Sequence, residues 1–176
     1  MFLFLKISSV NIFNLWYNIY VINFYKIKHR SVIIMVQLVC GHNGTGKTRR
    51  MIDMANKTID SIQGKMVFLE ANNRHIFDLD YRIRYINTKE FGLTNSDQFQ
   101  GFVCGLIATD YDVELVYIDG LYKIAQEGVD NLETVISRLD YLSEKFNVNF
   151  IMSVNHDADD VPEVLRDRIL LEAVMS

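Results

Sequence analysis

The run Gly41-His42-Asn43-Gly44-Thr45-Gly46-Lys47-Thr48 has the form G-x-x-x-x-G-K-T, the residue types and spacing that hold phosphate. Glycines let a backbone curl until successive N–H groups point inward at phosphate oxygens, and a helix starting just behind adds its dipole. All eight residues are therefore candidate nucleotide-binding positions. Lys47 would set its ammonium at the β- and γ-phosphates, where transfer chemistry develops charge. The Thr48 hydroxyl is the hard oxygen that Mg²⁺ accepts.

A second segment, Leu115-Val116-Tyr117-Ile118-Asp119, has the form of a Walker B strand, an apolar run delivering one carboxylate. Mg²⁺ keeps several waters and needs few protein ligands, so Thr48 and Asp119 suffice as the candidate metal pair. The competing reading makes Asp119 a cap for the next helix. Hydrolysis also needs a group that orients the attacking water. Many ATPases place a glutamate directly after this aspartate, but Gly120 stands there. The remaining candidate is Glu70, at the end of another apolar run, set against the reading of a solvated strand-end acid. Ser153, Asn155 and His156 are candidate sensors of a γ-phosphate. Arg49, Arg50 and Arg74 read as solvated charges that could also reach phosphate or a neighbouring subunit. Asp157, Asp159 and Asp160 read as a solvated acidic loop rather than a metal cluster. Tyr81, Tyr111, Tyr117 and Tyr122 read as core and rim, one of which could stack a base.

These residues need elements to position them. Residues 35–40 are apolar and β-branched, as a buried strand is, and 49–61 place Ile52, Ala55 and Ile59 at helical steps. Strands are expected over 65–70 and 82–87, with a loop or short helix over 71–81. Thr94, Ser96 or Asp97 offers a cap for a helix over 98–109 that turns Phe99, Phe102, Val103 and Leu106 inward. Residues 114–120 predict a strand. Asp130 or Asn131 would cap a helix over 131–146, and 148–154 predict another buried strand. Pro162 suits the first turn of a short terminal helix, and 169–174 an edge strand or tail. Alternating strands and helices imply an α/β fold, a mostly parallel sheet with helices on both faces. Ligands on such sheets lie beyond the carboxyl ends of the strands, which gathers the glycine loop, Asp119 and the loop after residue 154 into one site.

Composition narrows the setting. With 176 residues, 49% hydrophobic and only one proline, the chain is globular and has the length of one ordinary domain. Cys40 and Cys104 form neither a disulfide framework nor a zinc pair, so reduced buried thiols and a cytoplasmic location are expected. The net charge of −4 combines +4 in residues 1–34 with −8 in 35–176, so no broad nucleic-acid footprint is indicated. Residues 1–34 are dominated by Phe, Ile, Asn, Lys and Tyr, all with AT-rich codons, and read as a mis-called start ahead of a domain at 35–176. The competing reading is a membrane anchor: 7–25 are uncharged with basic flanks, but asparagines interrupt them. A signal peptide is disfavoured by the lack of a basic start and a small-residue cleavage site.

From residue 35 onward the chain resembles the short P-loop ATPases of low-GC Gram-positive bacteria, often labelled twitching-motility proteins. The matching stretches are VQLVCGHNGTGKTRRMIDMAN, GKMVFLEANNR, LVYIDGLYKI and FNVNFIMSVN. That resemblance implies a RecA-like P-loop NTPase domain that binds ATP and Mg²⁺, without a known cellular role. The motility label does not follow, because the acidic and histidine boxes of pilus-retraction ATPases are missing. Members of RecA-like families commonly complete their sites from another subunit, so a homo-oligomer or protein partner with slow basal ATPase activity is expected. Thymidine-kinase-like enzymes are the alternative, through Asn72-Asn73-Arg74, but their Asp-Glu pair and four-cysteine zinc lobe are absent. A non-hydrolysing ATP-sensing module is the third reading.

Overall fold

Residues 36–40, 113–119 and 149–153 carry almost no polar alternation because the strands they form are covered on both faces. A computed structural model of the chain describes residues 36–125 and 132–173. Contacts divide the chain after Ile34, and the described residues all belong to the second unit, Met35–Ser176. The expectations for 1–34 and for a cap at Asp130 or Asn131 fall outside the described residues. Among the described residues no helix is long and apolar enough to cross a membrane.

The elements run β1 (Val36–Cys40), α1 (Lys47–Thr58), β2 (Lys65–Glu70), β3 (Arg84–Asn87) and α2 (Ser96–Thr109). They continue with β4 (Val113–Asp119), α3 (Leu121–Ala125), α4 (Leu132–Phe146), β5 (Asn149–Ser153) and β6 (Ile169–Glu172). The six strands form one sheet in the order β3-β2-β4-β5-β1-β6, and every pairing is parallel. One strand, β5, therefore stands between the strand before the glycine loop and the strand that ends in Asp119.

Helices cover both faces, as the alternation predicts. On one, α1 lays Met51, Ile52 and Ala55 against Phe68, Leu115, Tyr117 and Ile151. On the other, α2 and α4 bury Phe99, Val103, Val135 and Leu139 against Val67, Val116, Ile118 and Phe150. Each such buried side chain contributes about 1.5–3 kcal/mol. Phe68 stacks on Tyr85 and on Tyr117, with centroids 6.5 and 5.7 Å away, and so ties the three strands that flank the site.

Four boundaries differ from expectation. Helix α1 begins at Lys47, inside the glycine motif, and ends at Thr58 rather than Ser61. In α2 the cap is Asn95, whose side chain accepts from the Gln98 N–H at 2.9 Å, while Gln98 Oε1 reaches back to the Thr94 N–H at 2.8 Å. Strand β3 starts two residues late because the Arg82 guanidinium is held by Asp80 and Asp60. Pro162 precedes a 3-10 helix, Glu163–Arg168, instead of opening an α-helix.

Candidate functional site

The glycine loop leaves β1 at its carboxyl end and is fastened there by its neighbours. The Gly41 N–H donates to the His156 carbonyl at 2.6 Å, and the Ala173 N–H donates to the Cys40 carbonyl at 2.8 Å. Gly41 has φ +137, and a Cβ on it would lie 2.3 Å from the Ala173 carbonyl oxygen, so no side chain fits. Gly46, at φ +81, turns the chain into α1 with no side-chain cap. Behind it the first turn of α1 holds Lys47, Arg49 and Arg50 and no acid. Cations at a helix N-terminus oppose the dipole, and the leading N–H groups lack a side-chain acceptor. An anion corrects both.

Lys47 lies across the loop, its ammonium donating to the carbonyls of Gly41 at 2.5 Å and His42 at 2.7 Å. Burial lowers its pKa below the ordinary lysine value, against the upward pull of Asp119. Thr45 closes the turn, with its hydroxyl donating to the His42 carbonyl at 2.8 Å. Asn43 is exposed at the tip.

The Thr48 hydroxyl donates to Asp119 Oδ2 at 2.7 Å across 71 residues of sequence. On the other carboxylate oxygen, the Ser153 hydroxyl donates to Asp119 Oδ1 at 2.7 Å, and it accepts from the Gly120 N–H at the same distance. Asp119 is thus buried and oriented by two hydroxyls from different elements. The sequence reading missed this role for Ser153, which it placed among the γ-phosphate sensors. A hydroxyl at the end of a buried apolar strand was the available signal.

Glu70 stands beside Asp119 in the register of β2 on β4. It is only 2% exposed, which corrects the reading of a solvated strand-end acid. The His75 ring nitrogen Nδ1 lies 2.9 Å from its Oε1, and the Tyr85 hydroxyl donates to Oε2 at 2.8 Å. Tyr85 also contacts the Asn72 carbonyl. Burial first, and then Glu70, holds the Tyr85 phenol well above its usual pKa.

Asn155 Oδ1, on the loop after β5, and the Tyr122 hydroxyl, on α3, are buried without a hydrogen-bond partner among the described residues. The His156 ring meets Tyr122 edge-on at 5.2 Å. His42 Nε2 lies 2.9 Å from Asp157 Oδ2, with Asp160 within the same 4.8 Å group, while Asp159 is exposed. Arg49 pairs with Asp53 at 3.4 Å, and Arg50 and Arg74 are exposed. Of the tyrosines, Tyr117 is core, whereas Tyr81 and Tyr111 stand out in solvent.

The glycine loop, Lys47, Thr48, Asp119 and Glu70 thus gather at the carboxyl edge of a parallel sheet. A solved structure of C. elegans PCH-2, an AAA+ P-loop ATPase, matches with a TM-score of 0.52 over 94% of this chain at 18% identity. The fold is shared with a P-loop ATPase. This chain spans about two fifths of that protein, covering 42% of its length. No family model and no curated protein matches the chain.

Proposed function

We propose that this chain binds Mg·ATP at residues 41–48 and hydrolyses it slowly, as a RecA-like P-loop ATPase whose full rate depends on a partner. The observation that carries this reading is the 2.7 Å bond between the Thr48 hydroxyl and the Asp119 carboxylate, directly behind the glycine loop. It pairs two hard oxygen donors where a nucleotide's β- and γ-phosphates would lie, a donor set that fits Mg²⁺. Bound there, the ion would neutralise charge on the phosphate oxygens. The uncapped, cation-bearing start of α1 supports the same reading, since a phosphate there would meet both the cations and the leading N–H groups. Backbone N–H groups from Gly41 to Gly46, His42, Asn43 and Thr45 included, would cradle the phosphates. Lys47 would exchange its loop carbonyls for phosphate oxygens. No guanine-reading N-K-x-D motif occurs, which favours ATP over GTP.

Glu70 is the residue proposed to orient the attacking water. Both its oxygens are engaged, by His75 and Tyr85, so one partner must yield before water can be held. Slow basal turnover follows from that exchange. The same burial favours a second reading, an ATP-sensing module that binds without hydrolysis.

The test is phosphate release from Mg·ATP by the purified full chain, with nucleotide affinity measured in the same samples. Glu70→Gln is expected to abolish release and keep binding, whereas Lys47→Ala loses both. Tight binding without release in the unaltered protein would favour the sensor. Failure of the folded protein to bind Mg·ATP would overturn the proposal.

A further inference from the structure

Strand β3 ends the sheet, so among the described residues its outer edge carries no strand partner. All four of its residues, Arg84 to Asn87, line a groove of about 870 Å³. Ile76, Phe77, Phe91 and Phe102 also line it, with the Phe91 and Phe102 rings 4.9 Å apart. Phe77 is 97% exposed and Phe91 57%. Natural sheets avoid aromatic side chains beside an open edge unless something covers them. The opposite end strand, β6, shows no such feature: its Ile169, Leu170 and Leu171 are half-buried.

Charge identifies the cover. Arg84 opens β3, and among the described residues no carboxylate pairs with its guanidinium. Asp110, which feels its charge, is bound by Lys65 at 2.7 Å. Glu90 lies just past the other end of the strand, with Oε1 accepting from Asn87 Nδ2 at 3.0 Å and Asn73 Nδ2 at 3.4 Å. One groove therefore carries a cation at its start and an anion at its finish. A two-fold axis at Ile86 would pair Tyr85 with Asn87 and set Arg84 opposite Thr88, reversing that order so that each Arg84 comes within diagonal reach of the other copy's Glu90. Arg84, Glu90 and the exposed Phe77 all line this one groove, so the patch could meet its own copy, as an isologous interface requires. An edge arginine alone would deter strand pairing; with Glu90 it selects its own mirror.

We propose that this groove is the contact with a second copy of the chain, in which β3 pairs antiparallel with β3 and one sheet runs through both copies. The proposal does not rest on the nucleotide reading.

Sedimentation equilibrium of the full chain tests it, with a particle of twice the 20.5 kDa chain mass expected. Arg84→Glu and Glu90→Arg each set like charges face to face and should weaken the dimer at least about tenfold. Both positions are exposed, so near-UV circular dichroism should be unchanged. The two single variants, mixed, have matching charges again and should associate with each other. A wild-type monomer at every concentration, an assembly indifferent to both substitutions, or failure of the mixed variants to associate overturns the proposal.

Discussion

Lys47 is held between opposing influences: burial lowers its pKa from the lysine value of 10.5, and Asp119 partly restores it. Burial is the larger, so the free protein loses this ammonium at a lower pH than an exposed lysine would. Phosphate binds the charged form, so affinity for Mg·ATP should be level near neutrality and fall as pH rises through the Lys47 pKa. Beyond that point the loss is about tenfold per pH unit. Titrating affinity by fluorescence, on protein shown to stay folded, should place the bend below 10.5. Lys47→Arg keeps its charge and should remove the bend. A bend that survives the arginine would exclude the ammonium as the phosphate ligand. Lys47 and Thr48 could be singled out in the sequence because their motif is contiguous. The bond from Ser153 to Asp119 could not be, because that hydroxyl meets the carboxylate only after two strands have been laid side by side.

The end of β2 shows how elements turn a carboxylate into a controlled group. Glu70 comes from β2, Tyr85 from β3 and His75 from the turn between them, so three segments converge on two oxygens. Thr88, just past β3, ties the Glu70 carbonyl at 3.1 Å and fixes the backbone beneath. If Glu70 orients water, the Tyr85 hydroxyl competes with that water for Oε2. Tyr85→Phe keeps the ring that stacks on Phe68 and removes the competitor, together with the hydroxyl's contact to the Asn72 carbonyl. Since one hydrogen bond is worth about 0.5–1.5 kcal/mol, kcat should rise roughly two- to tenfold. KM for ATP should stay unchanged, and Glu70→Gln should cancel the gain. A fall in kcat would instead make Tyr85 a positioning partner. Elements were legible where a long apolar period ran between turn residues, as for β1, β4 and β5. The start of α2 was not, because Thr94, Asn95, Ser96 and Asp97 all suit a cap and only the fold selects Asn95. Nor was the trimming of β3, which depends on Arg82 reaching Asp60, a contact outside its own segment.

Among the described residues, the glycine loop with Asp119 and Glu70 lies at one end of the parallel sheet, and Gly64 with Glu114 at the other. The alternation of strands and helices made that polarity legible, since every parallel strand delivers its carboxyl end to the same side. The strand order was not, because nothing local to 149–153 says that β5 inserts between β1 and β4. The site holds glycines, exposed cations and a buried carboxylate pair, features that local packing alone does not favour. The amino-end pole is closed by backbone fit instead. Glu114 Oε2 accepts from the N–H groups of Gln63 and Gly64 at 3.0 and 2.8 Å, and the Lys65 N–H donates to the Asp112 carbonyl at 2.7 Å. A Cβ on Gly64 would stand 2.3 Å from that same carbonyl oxygen and 2.9 Å from Glu114 Cβ, neither of which is the free end of a side chain. Gly64→Ala must therefore shift backbone and should cost about 1–3 kcal/mol, as overpacking does. For a domain of this size that lowers Tm by roughly 2–12 °C in a thermal scan. The nucleotide site lies at the other end of the strands, so the rise in Tm on adding Mg·ATP should match that of the unaltered protein. Lys47→Ala should show the reverse: a Tm lowered only by the loss of its two hydrogen bonds to the loop, and no rise with nucleotide. If Gly64→Ala also abolished the nucleotide-dependent rise, the two poles would be one cooperative unit and their separation would fail.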